Sequence, residues 1–138
     1  MRNAVELFCG AGGTSFGFQE AGFKISYGLD FDRHACDSFL ANHDGAICDN
    51  RPIEDVVPKD ILKHCDGKID VLIGGPSCQG YSTIGKRIDE DPRNYLFKHY
   101  LRLLKGLSPR WIVFENVRGL LIAAKGRFFR ELGEELYK

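Results

Sequence analysis

The chain has 138 residues, a formal net charge of zero, 43% hydrophobic residues and five cysteines. This length fits one domain with a substantial core, and no apolar stretch is long enough for a signal peptide or a membrane-spanning helix. The cysteines are odd in number, widely spaced and without a C-x-x-C pair, which disfavours a disulfide framework and a zinc site. We therefore expect a metal-free protein of a reducing, cytoplasmic setting that is not secreted.

Charge is unevenly distributed along the chain. Residues 1–85 contain 7 Lys and Arg against 12 Asp and Glu, and residues 86–138 contain 12 against 7, so the two parts carry −5 and +5. The basic part fits either an anion-facing surface or the solvated faces of helices. The four histidines are expected at the surface or on helix faces, and none belongs to a pattern typical of a metal site.

Strand and helix patterns alternate along the whole chain. Apolar runs and turn signals predict strands at 4–8, within 23–30, at 46–48, 69–73 and 111–114, and helices at 14–21, 33–43, 58–65, 93–107 and 128–137. Thr14 or Ser15 is expected to cap the first helix, and Ala35, Phe39 and Leu40 are expected to face the core from the second. This alternation predicts an α/β fold with a mostly parallel sheet and helices on both faces. Because no strand follows the last helix, we expect the front part of a longer, truncated domain.

A cysteine follows the fourth predicted strand. The apolar stretch 71–73 ends in the Gly-Gly-Pro turn 74–76, and Cys78 comes two residues later. Cys78 is therefore expected at the carboxyl end of a strand, where open α/β sheets bind ligands. A buried, inert thiol is the alternative for a free cysteine, and the polar, glycine-rich residues around Cys78 argue against it. The charged stretch 83–92 is long enough to form a functional loop.

A glycine turn lies between the first predicted strand and helix. Gly10, Gly12 and Gly13 would allow a nucleotide-like ligand to approach the backbone there. Ser15 stands where the dinucleotide fingerprint G-x-G-x-x-G needs Gly or Ala, so the match to that fingerprint is incomplete. No lysine follows as in a phosphate-binding loop, which disfavours triphosphate binding.

Acidic residues end the next two predicted strands. Asp30 could accept hydrogen bonds from both ribose hydroxyls of a nucleoside, and Phe31 could lie against an adenine face. Asp49 could accept a hydrogen bond from the adenine amino group. Acidic residues after strands are also common turn formers and helix caps. Taken in order, carboxylates at successive strand ends favour S-adenosylmethionine over NAD, because the nucleoside they would read carries no large anionic group.

The order of these motifs resembles the cytosine-5 DNA methyltransferase family along nearly the whole chain. Six segments are similar to the motifs of that family, in the same order and with compatible spacing: 7–13, 28–32, 48–49, 74–82, 91–97 and 114–117. The resemblance implies a Rossmann-like, S-adenosylmethionine-dependent methyltransferase fold. Ser77 is a departure, since the family commonly has proline before its nucleophile.

The resemblance also implies a reaction. A thiolate that adds to carbon 6 of cytosine makes carbon 5 nucleophilic enough to take a methyl group from a sulfonium, and Cys78 is the expected nucleophile. Glu115 would protonate or hydrogen-bond ring nitrogen 3. Asn116 would hold the Glu115 loop or serve only as a turn residue. Arg93 would contact the flipped nucleotide or a nearby phosphate, or be a surface residue at a helix start.

The cofactor S-adenosylmethionine has ten expected contacts. They are Phe8, Gly10, Gly12, Gly13, Asp30, Phe31, Asp49, Asn50, Pro76 and Leu96. Leu96 also fits the apolar stripe of helix 93–107, so a core position is its alternative.

Residues 1–138 are expected to be an incomplete cofactor-binding and catalytic domain, without the target-recognition domain of the family. Duplex DNA with a flipped cytosine would then be bound by the complete protein, or with a complementing C-terminal half. A tRNA cytosine-5 methyltransferase and a non-catalytic or split subunit are the alternatives. The expected location is the bacterial cytoplasm or nucleoid, in a restriction-modification setting.

Overall fold

The computed structural model describes residues 1–76, 96–116, 118 and 126–136. The elements in these ranges are β1 (Arg2–Leu7), α1 (Gly13–Glu20), β2 (Phe23–Leu29), α2 (Arg33–Asn42), β3 (Ile47–Asp49), a 3₁₀ turn (Ile53–Asp55), α3 (Pro58–Leu62), β4 (Val71–Gly74), α4 (Leu96–Leu107), β5 (Trp111–Phe114) and α5 (Arg127–Leu136). Apart from the 3₁₀ turn, the sequence predicts each of them to within three residues at either end. No helix in the described ranges is long and apolar enough to cross a membrane.

The five strands pair in parallel in the order β3-β2-β1-β4-β5. The chain winds from β1 outward to β3, crosses back to place β4 on the other side of β1, and continues to β5. The winding therefore changes side between β1 and β4. In open α/β sheets ligands bind at the carboxyl ends of the strands at such a point. The prediction of a parallel sheet is confirmed.

Helices cover both faces of the sheet, as predicted. On one face, α1 and α2 contribute to a cluster that contains Ala4, Phe18, Ile25, Phe39, Val71 and Ile73. On the other face, α3 and α4 contribute to a larger cluster that contains Val5, Leu7, Tyr27, Ile61, Leu72, Tyr100 and Leu103. Alternate residues of β1 serve the two clusters, because successive side chains of a strand point to opposite faces.

An extra residue in β2 changes which face its side chains cover. Ala4 pairs with Ile25 but Val5 pairs with Tyr27, so Ser26 forms a β-bulge. In a regular strand Ile25 and Tyr27 would share a face. Here Ile25 packs on the α2 side and Tyr27 on the α4 side. The bulge thus turns Tyr27 toward the face that carries α3 and α4.

The start of α1 differs from the prediction. Its N-cap is Gly12, with φ +84° and no side-chain cap hydrogen bond. Ser15 lies inside the first turn, where it is buried and its Oγ donates to the Gly12 carbonyl over 3.2 Å. The expectation that Thr14 or Ser15 caps this helix is therefore wrong, because a left-handed glycine already provides the sharp entry.

The buried face of α2 also differs from the prediction. Leu40 is 42% exposed, and Cys36 and Phe39 are the buried residues of this helix. His43, directly after α2, continues that face; it is 1% exposed and packs on the Phe39 ring with centroids 4.5 Å apart. The core-facing positions are therefore 36, 39 and 43. Phe39 is buried as expected, the expectation for Leu40 is wrong, and His43 continues the helix face and does not lie at the surface.

Candidate functional site

The glycine turn follows β1 at the carboxyl edge of the sheet. Phe8 has φ +60°, Gly10 +53° and Gly12 +84°. The amide of Cys9 donates to the Leu29 carbonyl over 3.0 Å, and the amide of Gly12 donates to the Cys9 carbonyl over 2.8 Å. A Cβ added to Gly12 would collide with the His43 ring. Glycine is therefore required at position 12 both by its backbone angle and by the buried histidine behind it.

Asp30 joins the glycine turn to the end of β2. One carboxylate oxygen accepts from the Gly10 amide over 2.8 Å, and the other accepts from the Asp32 amide over 2.9 Å. An ionised carboxylate offers about four acceptor positions. Among the described residues, backbone donors fix the orientation of Asp30 and leave about two acceptor positions for a ligand.

A cavity of about 210 Å³ opens beside Asp30. Its described lining contains four residues that the sequence assigns to the cofactor: Phe8, Asp30, Phe31 and Leu96. These come from three separate stretches of the chain. Phe31 is 74% exposed and its carbonyl accepts from Asn50 Nδ2 over 2.9 Å, which ties the loop after β2 to the loop after β3.

Five further residues line the same cavity: Leu29, Arg51, Pro52, Ile53 and Glu54. Leu29 belongs to the motif 28–32 but was not assigned to the ligand, and the other four lie in the stretch after β3, which carries no recognised motif. The available signal was an arginine two residues after the strand-ending Asp49. Gly10, Gly12, Gly13, Asp49, Asn50 and Pro76 are assigned to the cofactor from the sequence but are not among the lining residues of this cavity.

Asp49 is held by two neighbours. Arg51 approaches it in a bidentate manner, with Nε 2.8 Å from Oδ1 and Nη2 2.6 Å from Oδ2. The Tyr27 hydroxyl donates to Oδ2 over 2.6 Å. The hydrogen bonds from Arg51 hold the pKa of Asp49 below its usual range, and burial together with the bond to Asp49 raises the pKa of Tyr27. At neutral pH the group is thus a charged carboxylate with a neutral phenol and a guanidinium.

A buried polar network lies beneath the glycine turn. Glu6, on β1, accepts from the Ser15 amide over 3.3 Å. His43 Nε2 lies 3.0 Å from Ser15 Oγ, and His43 Nδ1 lies 2.9 Å from Gln19 Oε1. Burial raises the pKa of Glu6. These bonds fix the first turn of α1 to β1 and to the end of α2, and so support the glycine turn from below.

Three thiols lie near the same edge. Cys9 Sγ and Cys48 Sγ are 3.8 Å apart, and Cys36 Sγ donates to the Asp30 carbonyl over 3.5 Å. The contact with Cys9, followed by burial, raises the pKa of Cys48, and burial raises the pKa of Cys36 to about 12. Since the thiolate is the reactive form, neither Cys36 nor Cys48 is an activated nucleophile. In the described part of the chain, no group of His, Cys, Asp and Glu is placed to hold a metal ion.

The ends of β4 and β5 lie side by side. The Glu115 amide donates to the Gly74 carbonyl over 2.9 Å, and a Cβ on Gly75 would lie 3.0 Å from Glu115 Oε2. Asn116 Nδ2 donates to the Pro76 carbonyl over 3.2 Å. The two residues after β5 therefore contact the Gly-Gly-Pro turn that leads to position 78. Cys78, Ser77, Arg93 and the loop 83–92 lie outside the described residues.

The family model for C-5 cytosine-specific DNA methylase matches residues 2–138. The chain is 40% identical over 131 residues to the type II methyltransferase M.AgeI of Thalassovita gelatinovora, covering 93% of this chain and 30% of that protein. It is 39% identical over 133 residues to M.XorII of Xanthomonas oryzae pv. oryzae, covering 94% and 31%. The chain thus spans about a third of the length of these curated relatives.

A solved structure supports the same assignment. The crystal structure of a DNA modification methyltransferase encoded within an E. coli prophage superposes with a TM-score of 0.85 at 29% identity, covering 99% of this chain and 38% of that one. The Rossmann-like methyltransferase fold expected from the resemblance is confirmed. With its parallel sheet, its glycine turn after β1 and its family match over residues 2–138, the chain belongs to the C-5 cytosine-specific DNA methylases.

Proposed function

We propose that this chain is the cofactor-binding and catalytic part of an enzyme that transfers a methyl group from S-adenosylmethionine to carbon 5 of cytosine in DNA. The observation that carries the proposal is the cavity at the carboxyl edge of the sheet. Phe8, Asp30, Phe31 and Leu96 were assigned to one ligand from separate sequence motifs, and all four line that cavity.

The residues around the cavity fit the nucleoside part of S-adenosylmethionine. Phe8, Phe31 and Leu96 offer apolar contacts for a flat base, and Asp30 keeps acceptor positions for ribose hydroxyls. A cavity of about 210 Å³ is smaller than a typical pocket for a drug-sized ligand, so it suits a base and a sugar. When bound, the cofactor supplies an electrophilic methyl group on its sulfonium.

The catalytic roles are assigned to four residues. Cys78 adds as a thiolate to carbon 6 of the cytosine, which gives carbon 5 the character of an enamine carbon. Glu115 protonates or hydrogen-bonds ring nitrogen 3 as charge develops there. Asn116 holds the turn that leads to Cys78 through its bond to the Pro76 carbonyl. Arg93 contacts the flipped nucleotide or its phosphate.

The contacts around Glu115 support its role. Its carboxylate lies against Gly75, three residues before Cys78, and its amide is bonded to the end of β4. A side chain at position 75 would push against this carboxylate, so glycine leaves room for the acid beside the turn that leads to Cys78.

The target cytosine must leave the duplex before it can react, because the stacked base cannot be reached. Flipping it out costs about a few kcal/mol.

Recognition of the DNA sequence is assigned to parts of the protein other than residues 1–138. The chain spans about 30% of the curated relatives, so a target-recognition domain in the complete protein, or a complementing C-terminal half, would complete the DNA site. The relatives are type II methyltransferases of bacteria, from which we infer a bacterial cytoplasmic or nucleoid location and a restriction-modification setting.

Covalent trapping tests the catalytic assignment. The complete protein that carries this sequence, incubated with S-adenosylmethionine and duplex DNA containing 5-fluorocytosine, should form an adduct stable to denaturing electrophoresis. Cys78→Ala should abolish it. An adduct that persists in Cys78→Ala would contradict the assignment. An adduct on tRNA but not on duplex DNA would show that the substrate is RNA.

Calorimetry with S-adenosylhomocysteine tests the cofactor site on the chain itself. Asp30→Ala should weaken binding by roughly tenfold or more, since hydrogen bonds to a charged group are lost. Asp44→Ala, at an exposed aspartate after α2, is the matched control and should bind like the wild type. Equal affinity of the Asp30 and Asp44 variants would overturn the ribose assignment.

A further inference from the structure

A cluster of four polar side chains joins β2, β3, the loop after β3 and α3. It consists of Tyr27, Asp49, Arg51 and Asp60. Arg51 lies at its centre, because it bonds both Asp49 oxygens and also reaches Asp60 Oδ2 over 3.3 Å. The same arginine lines the cavity. The cluster therefore connects the cavity wall to the carboxylate that ends β3.

The acceptor positions of Asp49 can be counted. Oδ2 accepts from Tyr27 Oη and from Arg51 Nη2, and Oδ1 accepts from Arg51 Nε. Since an ionised carboxylate has about four acceptor positions, one remains after the bonds from the described residues, and it is on Oδ1. The Asp49 side chain is 16% exposed. A single remaining acceptor can take one N–H of a ligand.

Arg51 also fixes where that acceptor points. The bidentate contact with a planar guanidinium holds the carboxylate plane, which a single-point contact would not do. Asp60 accepts from Arg51, and the Asp55 carbonyl accepts from Arg51 Nη1 over 3.5 Å, so the guanidinium is itself held by two further acceptors. The orientation of Asp49 is thus set before any ligand arrives.

We propose that Arg51 is a positioning residue for base selectivity, which leaves Asp49 one oriented acceptor for the exocyclic amino group of adenine. This inference rests on the proposed function, because it assumes that the base of the cofactor occupies the cavity. Tyr27 also helps to leave Asp49 a single oriented acceptor, but to a smaller extent, since it occupies one position on Oδ2.

The test compares two probes that differ only at the base. S-adenosylhomocysteine carries the amino group, and S-inosylhomocysteine carries a carbonyl oxygen in its place. The wild-type chain should bind the adenosyl probe about tenfold more tightly by calorimetry, the usual effect of a hydrogen bond to a charged group. Arg51→Met should reduce that ratio to within about twofold of one, chiefly by weakening the adenosyl probe.

A milder variant and a matched control accompany Arg51→Met. Tyr27→Phe removes only a hydroxyl, and it should lower the adenosyl preference by a smaller factor in the same direction. Arg33→Met removes an arginine of α2 whose side chain is 83% exposed, and it should leave the ratio unchanged. Circular dichroism of each variant checks that the chain is folded.

The outcomes separate this inference from the proposed function. If the wild type binds neither probe, the cofactor site itself is refuted. If it prefers the adenosyl probe and Arg51→Met weakens both probes equally, Arg51 contacts the ligand or shapes the cavity, and its positioning role is refuted. An unchanged ratio in both Arg51→Met and Tyr27→Phe would refute it as well.

Discussion

At the scale of single residues, Gly74 shows how one missing atom sets the geometry of a strand end. It is the last residue of β4, and a Cβ there would collide with the ring of Tyr100 on α4. Tyr100 is fully buried and packs edge-on against Phe114 with centroids 5.2 Å apart. The ring therefore occupies the space that any other residue at position 74 would need.

We expect Gly74→Ala to destabilise the chain by about 1–3 kcal/mol, the usual range for overpacking a core. Urea unfolding at neutral pH measures it. Gly17→Ala is the matched control, because Gly17 lies in α1 with nothing within 4 Å of an added Cβ, and it should be neutral or stabilising by up to about 1 kcal/mol. Equal midpoints for the two variants would show that the Tyr100 ring can move aside.

Asp49 and Glu6 should change stability with pH in opposite directions. Hydrogen bonds from Arg51 lower the pKa of Asp49 from its ordinary 3.8, so its contribution is fully present above that pH and is lost as the pH falls through the folded-state pKa. Burial raises the pKa of Glu6 from its ordinary 4.5, so its contribution is fully present below that pH and is lost as the pH rises through the folded-state pKa.

Two isosteric variants test these signs. Asp49→Asn should destabilise most near neutral pH, and its difference from wild type should shrink below about pH 3.8. Glu6→Gln should gain stability relative to wild type as the pH rises above about 4.5. Unfolding free energies from urea titrations between pH 3 and 7 give both slopes, and slopes of the same sign would contradict one of the two assignments.

At the scale of elements, α2 depends on its N-cap. Asp32 has an extended backbone, and its carboxylate accepts from the amides of His34 and Ala35 over 2.8 and 3.3 Å. These bonds satisfy donors that the first turn of a helix leaves unpaired. Through its buried face, α2 carries Phe39 against Gly28 and so helps to position the turn after β2.

We expect Asp32→Ala to lower the unfolding free energy by about 1 kcal/mol, because the cap is lost. Asp32→Asn keeps an acceptor and should stay within a few tenths of a kcal/mol of the wild type. Thermal and urea unfolding measure both. A loss of equal size in the two variants would indicate that charge at the helix start, and not the hydrogen bonds, provides the stabilisation.

The sequence predicts the bounds of the helices and strands well, but it predicts less well which of their side chains face the core. Repeated alternation of strand and helix patterns predicts the parallel sheet, because that signal is spread over many residues. The side of the sheet that Tyr27 faces was not predictable. It depends on the bulge at Ser26, which has no partner in the register with β1, and a serine at this position does not indicate a bulge. His43 is polar in sequence but buried, which its partners Ser15, Gln19 and the Gly12 carbonyl make possible.

Of the residues that the sequence assigns to the cofactor, four line one cavity. Phe8, Asp30, Phe31 and Leu96 belong to motifs that can be recognised one at a time, and the fold gathers them. Arg51 was missed because its contacts with Asp49 and Asp60 form no recognised sequence motif, although Asp49 lies only two residues earlier. The cluster around Arg51 also needs Tyr27 from β2, which the fold brings to Asp49 and no local pattern encodes.

At the scale of the whole molecule, the parallel sheet places the carboxyl ends of its strands at one edge and their amino ends at the opposite edge. The cavity, Glu115 and the glycine turn lie at the carboxyl ends of the strands, whereas the pair Lys24 and Asp66 lies toward the amino ends. That pair is exposed, with 39% and 81% of the two side chains accessible. Substitutions at the amino edge should therefore leave the cavity undisturbed.

We expect Lys24→Ala to change the unfolding free energy by less than about 1 kcal/mol, as is usual for an exposed ion pair. Its affinity for S-adenosylhomocysteine should equal that of the wild type. Paired urea titrations and calorimetry measure the two quantities. Weakened binding with unchanged stability would mean that the two edges are coupled through β2.

The bulge at Ser26 also determines how β2 can change in length. If Ser26 were deleted, Ala4 would still face Ile25 and Val5 would still face Tyr27, now in an unbroken ladder, so each flanking side chain would keep its side of the sheet. Deletion of Gly28 would instead turn Leu29 away from the α4 side. Single-residue deletions in one short strand thus differ sharply in outcome, and Ser26 marks the position where the strand can lose a residue without inverting its side chains.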